Sequence, residues 1–203
     1  MRIRRHVLAA AVVLLAPVAA LSLIEAPPPL LNVPTFSLAT LGADGVTNMN
    51  ILTYATPVGI KPVRRWAIAL FQGTQTHANW VARRSGVLQL LCEPHAPLVH
   101  TLGGCSARDV DKAAACADLG FEWFSSAGEA ARERLLPGCV TYLRLEQEGE
   151  LLSFTGSEHD VAVCRVVHCL ATPDGPAPAE QVSTARLREL GVISELGRAV
   201  PPE

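Results

Sequence analysis

The chain has 203 residues, of which 49% are hydrophobic, 5% aromatic and 18% charged, and its formal net charge is −2. That balance excludes a basic nucleic-acid footprint, and so few aromatic side chains leave little for stacking against bases. The six cysteines form no CxxC and need not make a disulfide framework in a chain this long, and no N-x-S/T sequon corroborates passage through a glycosylating pathway.

The N-terminus reads as an address. Arg2, Arg4, Arg5 and His6 precede an apolar run from Val7 to Val18, and Val18-Ala19-Ala20 supplies small residues for cleavage. Residues 1–24 are therefore expected to be a secretory signal peptide or a signal anchor. The uncharged stretch Val7–Ile24, about 18 residues, is just long enough to span a bilayer, while Pro17 and the alanines favour the cleaved form. A signal of this kind leads into the secretory route, ending outside the cell or in an organelle reached that way. Ala26-Pro27-Pro28-Pro29 stiffens a linker over residues 25–34, and residues 35–200 fit one domain of ordinary size.

From Thr35 the pattern is β. Phe36–Leu41 alternates, Asp44-Gly45 is a hairpin turn because glycine accepts positive φ, and Val46–Thr56 is the expected return strand. Trp66–Phe71 is apolar enough to be buried on both faces. Thr76–Ser85 reads as a helix capped by Thr76 and ended by Gly86, followed by a strand over Val87–Cys92. Residues 95–118 suggest short helices broken at Gly103-Gly104, the second opening near Asp109 and Asp111. Cys139–Glu146 and Glu150–Thr155 read as a β pair joined around Gly149, Val161–Leu170 as a final strand, and Val182–Leu190 as a closing helix. Strands do not alternate with helices of βαβ length, so the fold is expected to be mainly β, a barrel or sandwich with short peripheral helices.

No G-x-G-x-x-G, G-x-x-x-x-G-K-S/T or G-x-S-x-G occurs. Cys92-Glu93-Pro94-His95 and the group Cys164, His168 and Cys169 have metal-ligating types but not a spacing that bites one ion, and no metal site is expected. The informative stretch is TNMNILTYATPVGIKP, residues 47–62. Asn48 and Asn50 emerge on one face of an extended chain, although asparagine is depleted in strands. With Thr53, Tyr54 and Thr56 they make either the solvated face of an edge strand or a polar wall for a ligand, and Lys61 brings a charge suited to an anion. Gln72-Gly73-Thr74-Gln75-Thr76-His77 is a glycine-containing loop running into a helix N-terminus, where backbone N–H groups can hold phosphate.

In order along the chain, these segments resemble the flavin reductase-like family, the FMN-binding split barrels. Asn48 matches the first asparagine of that family's N-x-M-T-x-S strand, Thr53 its serine, Thr56-Pro57-Val58 its S-P-V, and Pro62 a later proline. SARDVDKAAACADLGFEW is similar to the S-G-x-x-x-D-K-F segment with Asp111 and Lys112 in register, and SEHDVAVCRVV to the late G-D-H strand with His159 on its histidine. Asn50 stands where the family has methionine, Gly59 replaces a serine, Ala113 a phenylalanine, and Glu158 an aspartate.

The resemblance implies a split β-barrel binding FMN non-covalently, a homodimer, and reduction of flavin by NAD(P)H. It places Asn48, Asn50, Thr53, Tyr54, Thr56, Lys61, Gln72, Thr74, Thr76 and His77 around the cofactor. His159 falls beside the reactive ring as the catalytic candidate, flanked by Glu158 and Asp160, which are expected to favour its charged form. The alternatives are an FMN-binding electron carrier or sensor without nicotinamide chemistry, and a secreted disulfide-linked β-domain without a cofactor.

Overall fold

The structure is a computed structural model that describes residues 23–126 and 131–202. The expected leader, residues 1–24, lies almost wholly outside the described residues. Residues 23–33 have no regular structure, and Pro34 makes an isolated bridge to Ser183.

Seven strands form one sheet in the order β2-β1-β5-β8-β9-β4-β3, and every neighbouring pair is antiparallel. They are β1 (Phe36–Leu41), β2 (Thr47–Leu52), β3 (Ala55–Gly59), β4 (Arg65–Phe71), β5 (Ser85–Leu90), β8 (Thr141–Ser153) and β9 (His159–Leu170). The short strands β6 (Phe124–Ser125) and β7 (Arg134–Leu135) pair separately.

The sheet's two edge strands, β2 and β3, are joined by only Thr53 and Tyr54. Two residues span at most about 7 Å, so the sheet must curl until its edges nearly meet: a split barrel. The single return strand expected over Val46–Thr56 is thus two strands, one on each side of the split. Nothing in side-chain alternation marks this, because the change is one of pairing partner.

Alternation sorts the strands between two cores. Leu38, Leu88, Leu143, Leu145, Ile68, Leu70, Ala162 and Cys164 pack inside the barrel with Trp80. Ala39, Met49 and Val87, facing the other way, pack under Leu98, Leu102, Cys116, Leu136 and Leu187. β4 is therefore not buried on both faces as expected. Ile68 and Leu70 are buried, while Ala67 and Ala69 are half-covered.

Helix α1 (Gln75–Arg83) seats Trp80 in the barrel core, with the indole N–H donating to Gln147 Oε1 at 2.7 Å. Its cap is Thr74, not the expected Thr76: the Thr74 hydroxyl accepts from the His77 amide. Arg84, at φ 55°, ends the helix two residues before the expected glycine. Gly86 lies instead within β5, where a Cβ would stand 2.6 Å from the Ala39 carbonyl oxygen and 3.2 Å from the Trp80 ring. Only glycine lets β5, β1 and α1 approach that closely.

The expected turn at Gly149 is a bulge. β8 runs unbroken through it, with its register against β9 shifting between Glu148 and Leu152. Gly149 takes φ 65°, which kinks the strand without reversing it. The 95–118 segment carries a π-helical turn over His100–Gly104, so Gly103-Gly104 lies inside a helical turn and does not break one. Helix α2 (Lys112–Asp118) follows, capped by the Asp111 carboxylate, and α3 (Thr184–Glu189) is shorter than expected.

Candidate functional site

A cavity of about 570 Å³ opens along the free edge of β2. Four pieces of chain build it: β2 with Thr53 and Tyr54, the loop entering α1, the turn from Leu102 to Ala107 with Lys112, and the C-terminal segment from Ile193 to Ala199. Phe71, at the end of β4, and His159, at the start of β9, close the remaining side.

Asn48 and Asn50 stand opposite Thr40 and Leu38 of β1, so both share the face that Leu38 presents to the barrel interior. Asn48 is 8% exposed, and its amide donates to Thr76 Oγ1 at 2.8 Å. The side-chain oxygens of Asn48 and Asn50 are both buried without a hydrogen-bond partner. Leaving such a group unpaired costs about 1–3 kcal/mol. Both residues line the cavity, so a ligand's donors reaching these oxygens would recover that cost. The strand is indeed an edge strand, but its polar face is turned into a cavity and not into open solvent.

The loop ahead of α1 contributes Gly73, Thr74, Gln75 and Thr76 to the wall. Gly73 takes φ 74°, which turns the chain into the helix. The N-terminal end of a nine-residue helix thus borders the cavity, and a helix N-terminus favours an anionic group.

His159 pairs in register with Phe71, and its ring makes edge contacts with Phe71 at 5.2 Å and Tyr54 at 5.5 Å between centroids. These three rings form the cavity's aromatic side. Asp160 is not the partner of His159. Neighbouring residues on a strand point to opposite faces, and Asp160 accepts from Ser153 at 2.6 Å and Gln72 at 2.9 Å, and meets His77 Nε2 at 2.7 Å. The Ser153 hydroxyl, then His77 and Gln72, hold its carboxyl below the usual carboxylate range.

Asn48, Asn50, Thr53, Tyr54, Thr74, Thr76 and His159 are thus brought together on one cavity. Thr56, Lys61, Gln72 and His77 are not among its lining residues. Thr56 is exposed on β3, the opposite edge strand, and Lys61 is exposed in the turn after it. Gln72 and His77 are engaged with Asp160 and brace the α1 entry from behind.

Lys112 was legible as part of a motif but not as a wall residue. It is 7% exposed, and its ammonium donates to the Leu102 carbonyl at 2.7 Å and the Met49 carbonyl at 3.1 Å. Burial pushes its pKa down to about 8, against the opposing influence of Cys105 and Cys116. The signal available in sequence was a lone lysine opening an otherwise small-residue helix, KAAACAD. The C-terminal segment gave none, since ISELGRA has no regular period.

A seven-stranded antiparallel sheet curled around one apolar core, with a ligand-sized cavity at the split, defines the flavin reductase-like split-barrel fold, and comparison with solved structures gives the same fold. The chain is similar to flavoredoxin from Methanosarcina acetivorans, at 15% identity and a TM-score of 0.62, over 79% of this chain and 81% of that one. It is similar to the FMN-binding protein from Thermus thermophilus with bound 1-cyclohex-2-enone, at 20% identity and 0.58, over 89% and 88%. It is also similar to the styrene monooxygenase flavin reductase from Pseudomonas putida S12, at 17% identity and 0.57, over 72% and 84%. No protein-family profile matches the chain, and no curated protein matches it in sequence.

Proposed function

We propose that the chain binds FMN non-covalently in the β2 cavity and acts as an NAD(P)H-dependent flavin reductase or a closely related flavin-dependent oxidoreductase. The observation that carries this reading is that Asn48 and Asn50, whose carboxamide oxygens are buried without a partner, both line a cavity that also meets the start of α1. A flavin nucleotide has the matching parts: hydroxyl and N–H donors for the carboxamides, and an anionic phosphate for the helix start. Asn48, Asn50 and Thr53 would hold its polar groups, Thr74 and Thr76 would frame its anionic end, and Tyr54 and Phe71 would cover its ring. Bound flavin supplies hydride and electron transfer, and the protein supplies orientation and electrostatics. His159, held between Tyr54 and Phe71, is positioned to hydrogen-bond a nicotinamide or substrate brought to the same side.

The fold is shared with flavin reductases and with a flavoredoxin, which keeps an electron-carrier role as the second reading. All six cysteines are unpaired, which disfavours the disulfide-linked domain without cofactor. Exposed Val58 on β3 and Ile60 and Val63 in the turn after it, with exposed Tyr54 and Phe71 at the cavity rim, support a second copy packing across the split as a homodimer. The basic, then apolar, N-terminus supports delivery into the secretory route.

Purified full-length protein incubated with FMN and freed of excess should carry a flavin absorbance band. Under anaerobic conditions NADH or NADPH should bleach it. A yellow protein that neither nucleotide bleaches would support the carrier reading, and a colourless one would refute both. Sedimentation of the same sample tests the dimer.

A further inference from the structure

Among the six cysteines, Cys105 has a distinct setting. Cys92, Cys116, Cys139 and Cys164 are buried, and Cys169 is exposed but outside the cavity lining. Cys105 is half-buried and lines the cavity where the π-helical turn ends. Its Sγ lies 3.6 Å from Nε2 of His100, the first residue of that turn. The other ring nitrogen of His100 is buried without a partner. At Gly104, between the two, a Cβ would stand 2.8 Å from that nitrogen, so the turn closes tightly over the imidazole. The buried ammonium of Lys112 belongs to the same wall. A thiol beside an imidazole and a cation, with a route to solvent, has the setting of a reactive cysteine. Asn48 provides an independent sign that this cavity takes a ligand: it is more than nine-tenths buried, and its side-chain oxygen has no partner.

We infer that Cys105 is a modifiable thiol that exchanges with small disulfides, using His100 as proton acceptor, and that the resulting adduct closes the cavity to its ligand. The Cys105 proton passes to His100 Nε2, and the sulfur attacks one sulfur of R–S–S–R. A Cys105–S–S–R bond forms as the R–S–S–R bond breaks, and the leaving thiolate takes the proton as R–SH. Two electrons move from the protein thiol to the disulfide, and a reducing thiol reverses the step. The adduct then occupies volume that the ligand needs. The closing half of this inference rests on the cavity being the flavin site, whereas the thiol's reactivity does not.

The test treats flavin-free, full-length protein with a nitroaromatic disulfide, follows thiolate release by absorbance, and locates the adduct by mass spectrometry. Cys105 should react at least about tenfold faster than the exposed Cys169, and His100→Gln should slow Cys105 about tenfold while leaving Cys169 unchanged. Equal rates at the two cysteines, or no effect of His100→Gln, would overturn the reactive pair, and neither outcome depends on flavin. In the second arm, modified protein should lose FMN binding at least about tenfold and regain it with dithiothreitol, and disulfide treatment should leave the FMN affinity of Cys105→Ser unchanged. Fast labelling without loss of FMN affinity would overturn the closing role. Absence of FMN binding before any treatment would instead count against the flavin reading, with the labelling rates still deciding the thiol.

Discussion

Thr53 and Thr56 are three positions apart in sequence, and the split of the barrel puts them in different places. Thr53 lies in the two-residue crossing and lines the cavity, whereas Thr56 is exposed on β3. Thr53→Ala should weaken FMN binding by roughly five- to thirty-fold, the size of one lost hydrogen bond of about 1–2 kcal/mol, and Thr56→Ala should change it less than about twofold. Equal losses, measured by fluorescence titration, would mean the flavin spans both edges of the split. His159 separates binding from chemistry. Its ring leans on Tyr54 and Phe71, the two side chains that would cover the flavin ring. His159→Ala should keep FMN nearly as before and slow its reduction by NAD(P)H about ten- to a hundred-fold in stopped-flow bleaching. A wild-type rate would make the histidine a packing residue.

At the scale of elements, the sheet is held where backbones come closest. Gly86 is one such point, with no room for a methyl group between the Ala39 carbonyl and the Trp80 ring. Gly86→Ala should cost about 1–3 kcal/mol, the usual penalty of overpacking, read as a lower urea midpoint at unchanged slope. An unchanged midpoint would show that β5 can shift freely against β1. The same elements show what a sequence reveals. The first hairpin was readable because Phe36–Leu41 alternates and Asp44-Gly45 turns, both local signals. The shared face of Asn48 and Asn50 was readable because strand periodicity is local too. The switch of pairing partner at Thr53-Tyr54 was not, because crossing from one sheet edge to the other leaves no mark in alternation. Gly149 misled for a related reason: positive φ serves a turn and a bulge equally, and only the strand opposite decides between them. Asp160 was adjacent to His159 in sequence yet serves His77, because the strand turns neighbours to opposite sides.

Over the whole molecule, the buried thiols set how stability responds to alkali. Cys92, Cys116, Cys139 and Cys164 all have raised pKa values, chiefly because burial disfavours the thiolate. In the unfolded chain a thiol ionises near about 8.5. Between that value and the raised folded one, the folded state therefore holds more protons than the unfolded state, and stability falls as pH rises. Each thiol removes up to about 1.4 kcal/mol per pH unit across its window. Lys112 acts in the opposite sense. Its folded pKa of about 8 lies below that of a free lysine, so from about pH 8 to about 10.4 the unfolded state binds the extra proton and stability gains. One lysine opposes four thiols, so the net slope is downward. Urea unfolding of the flavin-free protein at a series of pH values from 7 to 10, under reducing conditions, should show stability level to about pH 8 and falling beyond about pH 9. Replacing one thiol, as in Cys164→Ala, should make that fall shallower even though the cavity it leaves lowers stability at pH 7. A fall of unchanged steepness in Cys164→Ala would mean that this thiol ionises as readily folded as unfolded, and that the barrel interior around it admits water.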